Sequence, residues 1–409
     1  MKIVLFWWLL EPELGYGGAK TGRILAEGLA QAGHEVVAVT THGGRSPATE
    51  VHGRLKIIRF SPWNLYWVAE KNRQPLWKRA VWQMLDVWNP HAYRVARRIV
   101  EQEQPDVVHV GKLRGFSPSV WHAARSVSAA PIVQTCVDYE LMSPEGTLKG
   151  RLGQMARQGA WPVRPYQALR ASWSAQVAAV TGESRYTLET IVSCGFFPAA
   201  KQRVVHPSHG LGLQALASLR QATRDRSGGS EEGLRVLYLG RLEEIKGLDI
   251  LCAAVDRLAP RFPTLRLDIV GGGSLEQALR ERYAGSQQIT VHGPQFGGLK
   301  ERLMVDCDVM VVPSVWPEVF GRVIVEAYAH GKPVIVSRAG GMPELVEEGR
   351  TGFVVPAGDV DDLEGVLGRL AKDPSLARGL SGACFDAAPR WSVETVVSEF
   401  ATLYEELLA

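Results

Sequence analysis

The sequence predicts an α/β protein of two domains, each built on a parallel sheet. Three observations predict it. Short apolar runs such as Asp106–Val110, Ile132–Thr135, Arg235–Leu239 and Val309–Val312 recur along the whole chain, separated by segments of helical apolar periodicity. Several of these runs are nearly continuous in apolar residues rather than alternating, which is how strands covered on both faces read. The length of 409 residues is enough for two domains of ordinary size, each with its own core.

Charge divides the chain more sharply than its total of +3 shows. Residues 1–220 hold 26 Lys+Arg and 15 Asp+Glu, or +11, leaving 20 and 28, or −8, for the rest. The two parts therefore face different electrostatic partners. The five cysteines, Cys136, Cys194, Cys252, Cys307 and Cys384, form no CxxC or Cys/His cluster. Neither a zinc site nor a disulfide framework is indicated, and a reducing cytoplasm fits. The apolar opening Ile3–Leu10 is short, runs into Glu11-Pro12-Glu13 and lacks a small-residue cleavage site, so it reads as a first buried strand. No run reaches the roughly 18 apolar residues that cross a bilayer, so membrane contact is expected to be peripheral.

The first unit is strand Lys2–Trp7, a glycine-rich turn Gly15-Tyr16-Gly17-Gly18, a helix from about Ala19 to Ala32 and a strand Glu35–Thr40. Leu25 and Leu29 share its buried face, and Gly33 ends it. The turn is not GxGxxG and no acidic residue follows the second strand, which argues against a dinucleotide site. Between 60 and 100, Trp63, Trp67, Trp77, Trp82 and Trp88 interleave with seven basic residues, against only Glu70 and Asp86. Two readings stay open: an anionic membrane surface or lipid-linked acceptor, or core tryptophans beneath a solvated basic face. No nucleic-acid module accompanies the charge, so no nucleic-acid partner is expected. Strands follow at Asp106–Val110, Ile132–Thr135 and Val177–Val180. His109 lies inside one and reads as a satisfied core histidine. Lys149 to Arg170, with five basic residues, no acidic ones, Pro162 and Pro165, reads as an irregular acceptor-side loop. His206 and His209 lack the carboxylate or cysteine partner that a metal site needs. Gln221 to Gly233 reads as a polar loop.

In the second half, strand Arg235–Leu239 runs into Gly240-Arg241-Leu242-Glu243-Glu244-Ile245-Lys246-Gly247. Arg241 and Lys246 bracket a turn beside a helix start, an arrangement suited to a diphosphate. Strands recur at Leu265–Val270, Ile289–Val291, Val309–Val312, Val334–Ser337 and Gly352–Val355. Gly271-Gly272-Gly273 and His292-Gly293-Pro294 end two of them, where open α/β sheets bind ligands. Past Val312, the turn Glu318-Val319-Phe320-Gly321 opens a helix whose start offers unpaired N–H groups to hydroxyl or phosphate oxygens. Gly331 caps the far end. Glu326 follows Glu318 by eight positions, which at about 1.5 Å rise per residue spans roughly 12 Å of helix. Paired glycosidase carboxylates sit about 5–10 Å apart. The two are therefore read as holding opposite ends of one elongated ligand, such as the hexose and ribose of a nucleotide sugar.

With Gly340-Gly341-Met342-Pro343-Glu344 and TGFVVPAGD after that glutamate pair, the chain resembles the retaining glycosyltransferases of family 4. The resemblance spans nearly the full length, is strongest from Gly240 to Asp359 and is weakest from Phe60 to Arg170. It implies a GT-B fold, two Rossmann-like domains facing an interdomain cleft. An N-terminal acceptor-binding domain 1–205, a nucleotide-sugar-binding domain 206–390 and a C-terminal helix 391–409 returning to the first domain are expected. His206–His209 takes the place of the family's interdomain hinge. The implied activity is metal-independent transfer of a sugar from a nucleoside diphosphate sugar, UDP-sugar favoured over GDP-sugar, to an acceptor hydroxyl. No cofactor is implied beyond the donor. By resemblance Arg241 and Lys246 clamp the diphosphate beside Gly240, Glu318 with Val319, Phe320 and Gly321 holds the hexose, and Glu326 holds ribose. Gly271, Gly272 and Gly293 line the base, and Gly17 and Gly18 let backbone approach the donor phosphate or acceptor. The chain departs from the family at Gly111-Lys112 and Val137-Asp138, where many relatives carry histidines. Asp138 is left as the polar candidate that orients donor sugar or acceptor. A sugar-nucleotide epimerase and a silent nucleotide-sugar-binding protein are the rival readings.

Overall fold

The computed structural model describes residues 1–10, 17–44, 48–144, 146–148, 150–161, 163–225, 233–295 and 297–409. Gly15, Tyr16, Lys149, Pro162 and 226–232 of the expected loop Gln221–Gly233 lie outside the described residues. The chain divides into two compact units, Met1–Pro207 with Val393–Ala409, and Ser208–Ser392. Each is built on one α/β sheet.

The first unit's strands are β1 (Lys2–Phe6), β2 (Glu35–Thr41), β3 (Ala48–His52), β4 (Leu55–Phe60), β5 (Val107–Val110), β6 (Ile132–Cys136), β7 (Ala179–Gly182) and β8 (Lys201–Val204). Their order is β3-β4-β2-β1-β5-β6-β7-β8, parallel throughout except where β3 turns back on β4. Strands β5, β6 and β7 are buried along their whole length, as covered parallel strands are. Strands β3, β4 and β8 are absent from the sequence reading. All five residues of β3 are exposed at the sheet edge, so it lacks the apolar run that marks the others.

The last helix, Val393–Leu408, belongs to this unit and lies on the first helix, Gly17–Gln31. A Cβ at Gly28 would sit 2.6 Å from Val397 Cγ2 and 2.9 Å from Val393 Cγ1, so glycine permits the close crossing. Beneath it, His109 is fully buried, with Nδ1 2.6 Å from the Tyr404 hydroxyl and Nε2 2.7 Å from the Thr135 hydroxyl. Burial lowers its pKa to about 3, so it remains a neutral core residue. Trp391 does not start this helix; it closes the short 3-10 turn Ala388–Trp391 and is buried in the second unit's core.

Two loops of the sequence reading are helical. Helices Gly150–Arg157 and Arg164–Ser174 occupy the stretch read as irregular, with Pro165 in a first turn where a missing N–H is harmless. Helix Leu213–Asp225 covers the start of the expected loop at Gln221. The tryptophans between 60 and 100 divide by burial. Trp82 is buried and Trp67 is packed partly against the core, whereas Trp63 and Trp77 are 68% and 63% exposed and Trp88 is also exposed.

The second unit's strands are β9 (Arg235–Leu239), β10 (Arg266–Val270), β11 (Ile289–Gly293), β12 (Val309–Val312), β13 (Val334–Ser337) and β14 (Gly352–Val355). They form a parallel sheet in the order β11-β10-β9-β12-β13-β14. The two ends of this unit's chain are bonded together: Ser208 Oγ and His209 N both donate to the Trp391 carbonyl, at 2.8 and 3.2 Å.

Asp86, just past helix Leu76–Leu85, is buried and accepts the Gly115 N–H at 3.1 Å. Burial pushes its carboxyl up to about 8, outweighing that bond and the nearby Arg170. The unfolded side chain loses its proton near 3.8, so the folded chain binds more protons from about pH 4 to 8 and this residue's contribution falls as pH rises. Asp86→Asn lacks that slope. Its melting temperature relative to the wild type is expected to climb from pH 5 to pH 8, and a pH-independent difference would show that Asp86 is ionised in the fold.

Candidate functional site

In the second sheet the chain leaves β9 outward through β10 and β11, then returns to the other side of β9 as β12. The loops after β9 and β12 therefore diverge, opening a crevice beyond their carboxyl ends, the usual ligand position in such sheets. The backbone there is laced together. Gly240 N donates to Val270 O at 3.0 Å, Leu242 N to Gly272 O at 2.9 Å, Gly271 N to Gly293 O at 3.0 Å, and Val315 N to Ile245 O at 3.0 Å. At Gly271 a Cβ would lie 1.7 Å from the Gly240 carbonyl, so no side chain fits where these loops approach. Four of the predicted glycines, Gly240, Gly271, Gly272 and Gly293, are thus brought to one rim.

Lys246 and Glu318, 72 residues apart, meet across this switch point. Lys246 Nζ is 2.5 Å from Glu318 Oε1, which also accepts the Ser314 hydroxyl at 2.6 Å. Both side chains are largely enclosed, at 17% and 10% exposure, and the ammonium faces the Trp316 ring at 5.5 Å. The backbone of Glu318 is fixed as well. Its carbonyl accepts Gly341 N at 2.8 Å, and it bridges Gly340, whose φ of +64° and a would-be Cβ 2.0 Å from the Glu318 carbonyl exclude a side chain. The Gly-Gly-Met-Pro-Glu turn thus acts as a support for the glutamate. Val319 and Phe320 are buried, and Gly321, at φ +95°, starts helix Arg322–Ala329 without a side-chain cap among the described residues.

Glu318 lies in the loop before that helix, so the 12 Å helical rise applies only to its last half, from Arg322 to Glu326. Glu326 is held by Lys300 Nζ at 2.7 Å and Arg322 Nε at 3.3 Å. Arg241, half exposed, pairs with Glu243 at 2.7 Å. Ser314, Lys300 and Arg322 are missing from the sequence-derived set. Arg322 had a signal, the i,i+4 spacing to Glu326 on one helix face; Lys300 and Ser314 meet their carboxylates only through the fold.

The first unit repeats the arrangement. Its switch point falls between β1 and β5, and at the strand ends Lys112 Nζ lies 2.7 Å from Asp138 Oδ2 and 4.3 Å from the centre of the Trp8 ring. Asp138 Oδ1 accepts Glu140 N at 2.8 Å. Glu140 is buried, accepts the Leu113 N–H, and has its pKa raised to about 7 by burial and then by Asp138. Lys112 is therefore the partner of Asp138. Gly17 and Gly18 form the first turn of helix Gly17–Gln31. A Cβ on Gly18 would meet only Trp8 Nε1, at 3.9 Å, so the described residues do not themselves demand glycine there.

His206 Nδ1 lies 2.8 Å from the Glu183 carbonyl and His209 Nε2 3.1 Å from the Ala388 carbonyl, so both rings serve the backbone. Among the described residues no group of three or more His, Cys, Asp or Glu is gathered to hold a metal ion.

Each unit is Rossmann-like, and the second gathers paired cations and carboxylates at its switch point. The family profile for glycosyl transferases group 1 matches residues 233–373, and that for Glycosyltransferase Family 4 matches residues 17–208. The chain belongs to glycosyltransferase family 4. It is 28% identical to an uncharacterized 42.6 kDa protein in the cps region of Klebsiella pneumoniae, over 84% of this chain and 87% of that one. It is 26% identical to the phosphatidyl-myo-inositol mannosyltransferase of Mycobacterium leprae, over 78% of each. The crystal structure of Anabaena HepE in complex with UDP superposes with a TM-score of 0.68 at 19% identity, covering 99% of this chain and 100% of that one.

The enclosed pair Lys246–Glu318 gives a direct test of the site. Removing one partner leaves a largely enclosed charge unpaired, so Lys246→Met and Glu318→Gln are each expected to destabilise the fold, and the double variant to cost less than their sum by about 1 kcal/mol or more. Urea denaturation of the four proteins measures this coupling. Strict additivity would mean that the two residues do not interact.

Proposed function

We propose that this glycosyltransferase moves a hexose, with retention at the anomeric carbon and without a metal ion, from a nucleoside diphosphate sugar to a hydroxyl of a lipid-linked or glycan acceptor. A UDP-sugar is the proposed donor in preference to a GDP-sugar. The observation that carries the reading is the Lys246–Glu318 pair across the β9/β12 switch point, with Arg241 on the same loop as the lysine.

The costly event is loss of the diphosphate, because negative charge grows on it as the glycosidic bond breaks. Fixed cations at that position stabilise the transition state more than the bound donor. Arg241 and Lys246 take this role. Glu318 and the loop Val319–Gly321 hold the hexose, and Glu326, oriented by Lys300 and Arg322, holds the ribose hydroxyls. Gly240, Gly271, Gly272 and Gly293 admit the nucleotide against bare backbone, and Gly17 and Gly18 do so for donor phosphate or acceptor. Asp138, oriented by Lys112, positions the acceptor or the donor sugar. The bond from the anomeric carbon to the diphosphate oxygen breaks, the bond to the acceptor oxygen forms on the same face, and the acceptor proton passes to the departing phosphate oxygen.

The UDP bound in HepE supports a uridine donor, and the name of the mycobacterial relative supports a lipid-borne acceptor. Among the described residues no helix is long and apolar enough to cross a membrane. The proposed location is the cytoplasm, at the inner face of the membrane.

A thermal-shift panel of UDP-, GDP- and ADP-sugars ranks the donors, since ligand binding stabilises by RT ln(1 + [L]/Kd). With the best donor and water as acceptor, proton NMR is expected to show the released sugar first in the donor's own anomeric form, with no epimerised nucleotide sugar. Inversion would sink the reading. Arg241→Ala is expected to lower kcat by about 10²-fold, and a wild-type kcat would remove Arg241 from the clamp. Activity is expected to survive EDTA; loss that Mg²⁺ or Mn²⁺ restores would overturn metal independence.

A further inference from the structure

Helix Leu76–Leu85 carries its apolar stripe on the outside. Its exposed residues are Leu76, Trp77, Ala80, Val81, Met84 and Leu85, at spacings of one and four that trace a single face of two and a half turns. Leu76 and Met84 are 78% and 74% exposed. An amphipathic surface helix ordinarily turns such a stripe to the core; here only Trp82 is buried. The other side is pinned by polar bonds. Trp82 Nε1 donates to Tyr66 O at 2.9 Å, Asn64 Nδ2 donates to Trp82 O at 3.2 Å, and the next turn is anchored by Asp86. The orientation is thus fixed by the fold, and the apolar face is left uncovered.

The surroundings are aromatic and basic. Exposed Trp63 stacks on His91 at 4.9 Å, and exposed Trp88 stacks on Tyr93 at 5.4 Å, so both indoles are held in place. Lys78 and Arg79 flank the stripe half-buried, while Arg94, Arg97 and Arg98 are exposed on the following helix, Pro90–Glu103. Of the two acidic residues between 60 and 100, Asp86 is buried, which leaves Glu70.

We propose that this face is a membrane-docking surface, with helix Leu76–Leu85 lying in the plane of an anionic bilayer. Leu76, Trp77, Val81, Met84 and Leu85 enter the acyl boundary, and the flanking cations meet lipid phosphates. Charge selects the bilayer over a second copy of the chain, because self-association would oppose like charges around an apolar centre. The inference deepens the acceptor side of the proposed function and rests on that reading for its purpose; its test does not.

Co-sedimentation of the full chain with phosphatidylglycerol and phosphatidylcholine vesicles, at low and high salt, tests it. The wild type is expected to pellet with phosphatidylglycerol only, and less as salt rises. Each apolar side chain that leaves the interface is worth about tenfold in partitioning, so Trp77→Glu/Met84→Glu is expected to lower it by about 100-fold. Lys78→Gln/Arg79→Gln is expected to weaken binding and flatten its salt dependence. None of the four sites is among the residues assigned to donor binding, so donor hydrolysis should be unchanged, as should the melting temperature of the variant at the exposed Trp77 and Met84. Wild-type protein that stays in the supernatant, equal binding to both lipids, or unaltered binding by the glutamate variant would overturn the proposal. So would a wild-type dimer in sedimentation velocity that the glutamate variant converts to monomer, since a second copy would then cover the face. Vesicle binding by a chain that hydrolyses no nucleotide sugar would sink the proposed function and leave this inference standing.

Discussion

The second unit depends on one enclosed ion pair. Lys246 and Glu318 come from loops on opposite sides of the β9/β12 divide, and their 2.5 Å contact ties those loops together at the place where the sheet opens. Such a pair gains little net stability by itself, because desolvating both groups offsets most of their attraction. Its value is positional. The hydroxyl of Ser314, the ring of Trp316 and the backbone bridge to Gly340 leave Glu318 little freedom, so the lysine charge is held at one point. A fixed charge in a site of low dielectric stabilises developing negative charge with no reorganisation at the moment of reaction.

The same logic recurs in the first unit with different residues. Lys112 and Asp138 meet beyond the ends of β5 and β6, beside Trp8 at the end of β1. Around them the unit carries an unusual load of buried polar groups, Asp86, Glu140 and Arg170 among them. Burial drives the two carboxyls towards their neutral forms and lowers the pKa of the Arg170 guanidinium. These groups fasten the segments after β5 and β6 to helix Arg164–Ser174 and to the turn that follows helix Leu76–Leu85. The rigid polar base under that helix is what allows its other face to be apolar and still lie outside the core.

Most strands were legible because a parallel strand covered on both faces must be apolar at nearly every position, which a sequence displays directly. Val309–Val312, Val334–Ser337 and Gly352–Val355 are strands at the positions their runs indicate. The misses have the converse cause. Strand β3 is exposed at an edge, β8 is a four-residue Lys-Gln-Arg-Val segment, and both take their pairing from neighbours rather than from their own composition. The stretch around Pro165 misled because proline breaks a helix interior but is welcome in its first turn. The divided fate of the tryptophans was not legible either, since a tryptophan spacing alone does not say which side of a helix the rest of the chain will cover.

The sequence by itself determined the class of fold, the two-unit organisation and the family, because these follow from local periodicity and from short motifs whose residues are adjacent in the chain. It also named both members of the Lys246–Glu318 pair, one from each of two such motifs. Only the tertiary structure decided that the two touch, that Ser314, Lys300 and Arg322 orient the carboxylates, that Lys112 answers Asp138, and that an apolar helix face is left outside. The physical reason is one of range. Helix and strand signals act over a few residues, whereas an ion pair between residues 72 apart, or the covering of one helix face, is set by which strands the crossovers bring side by side.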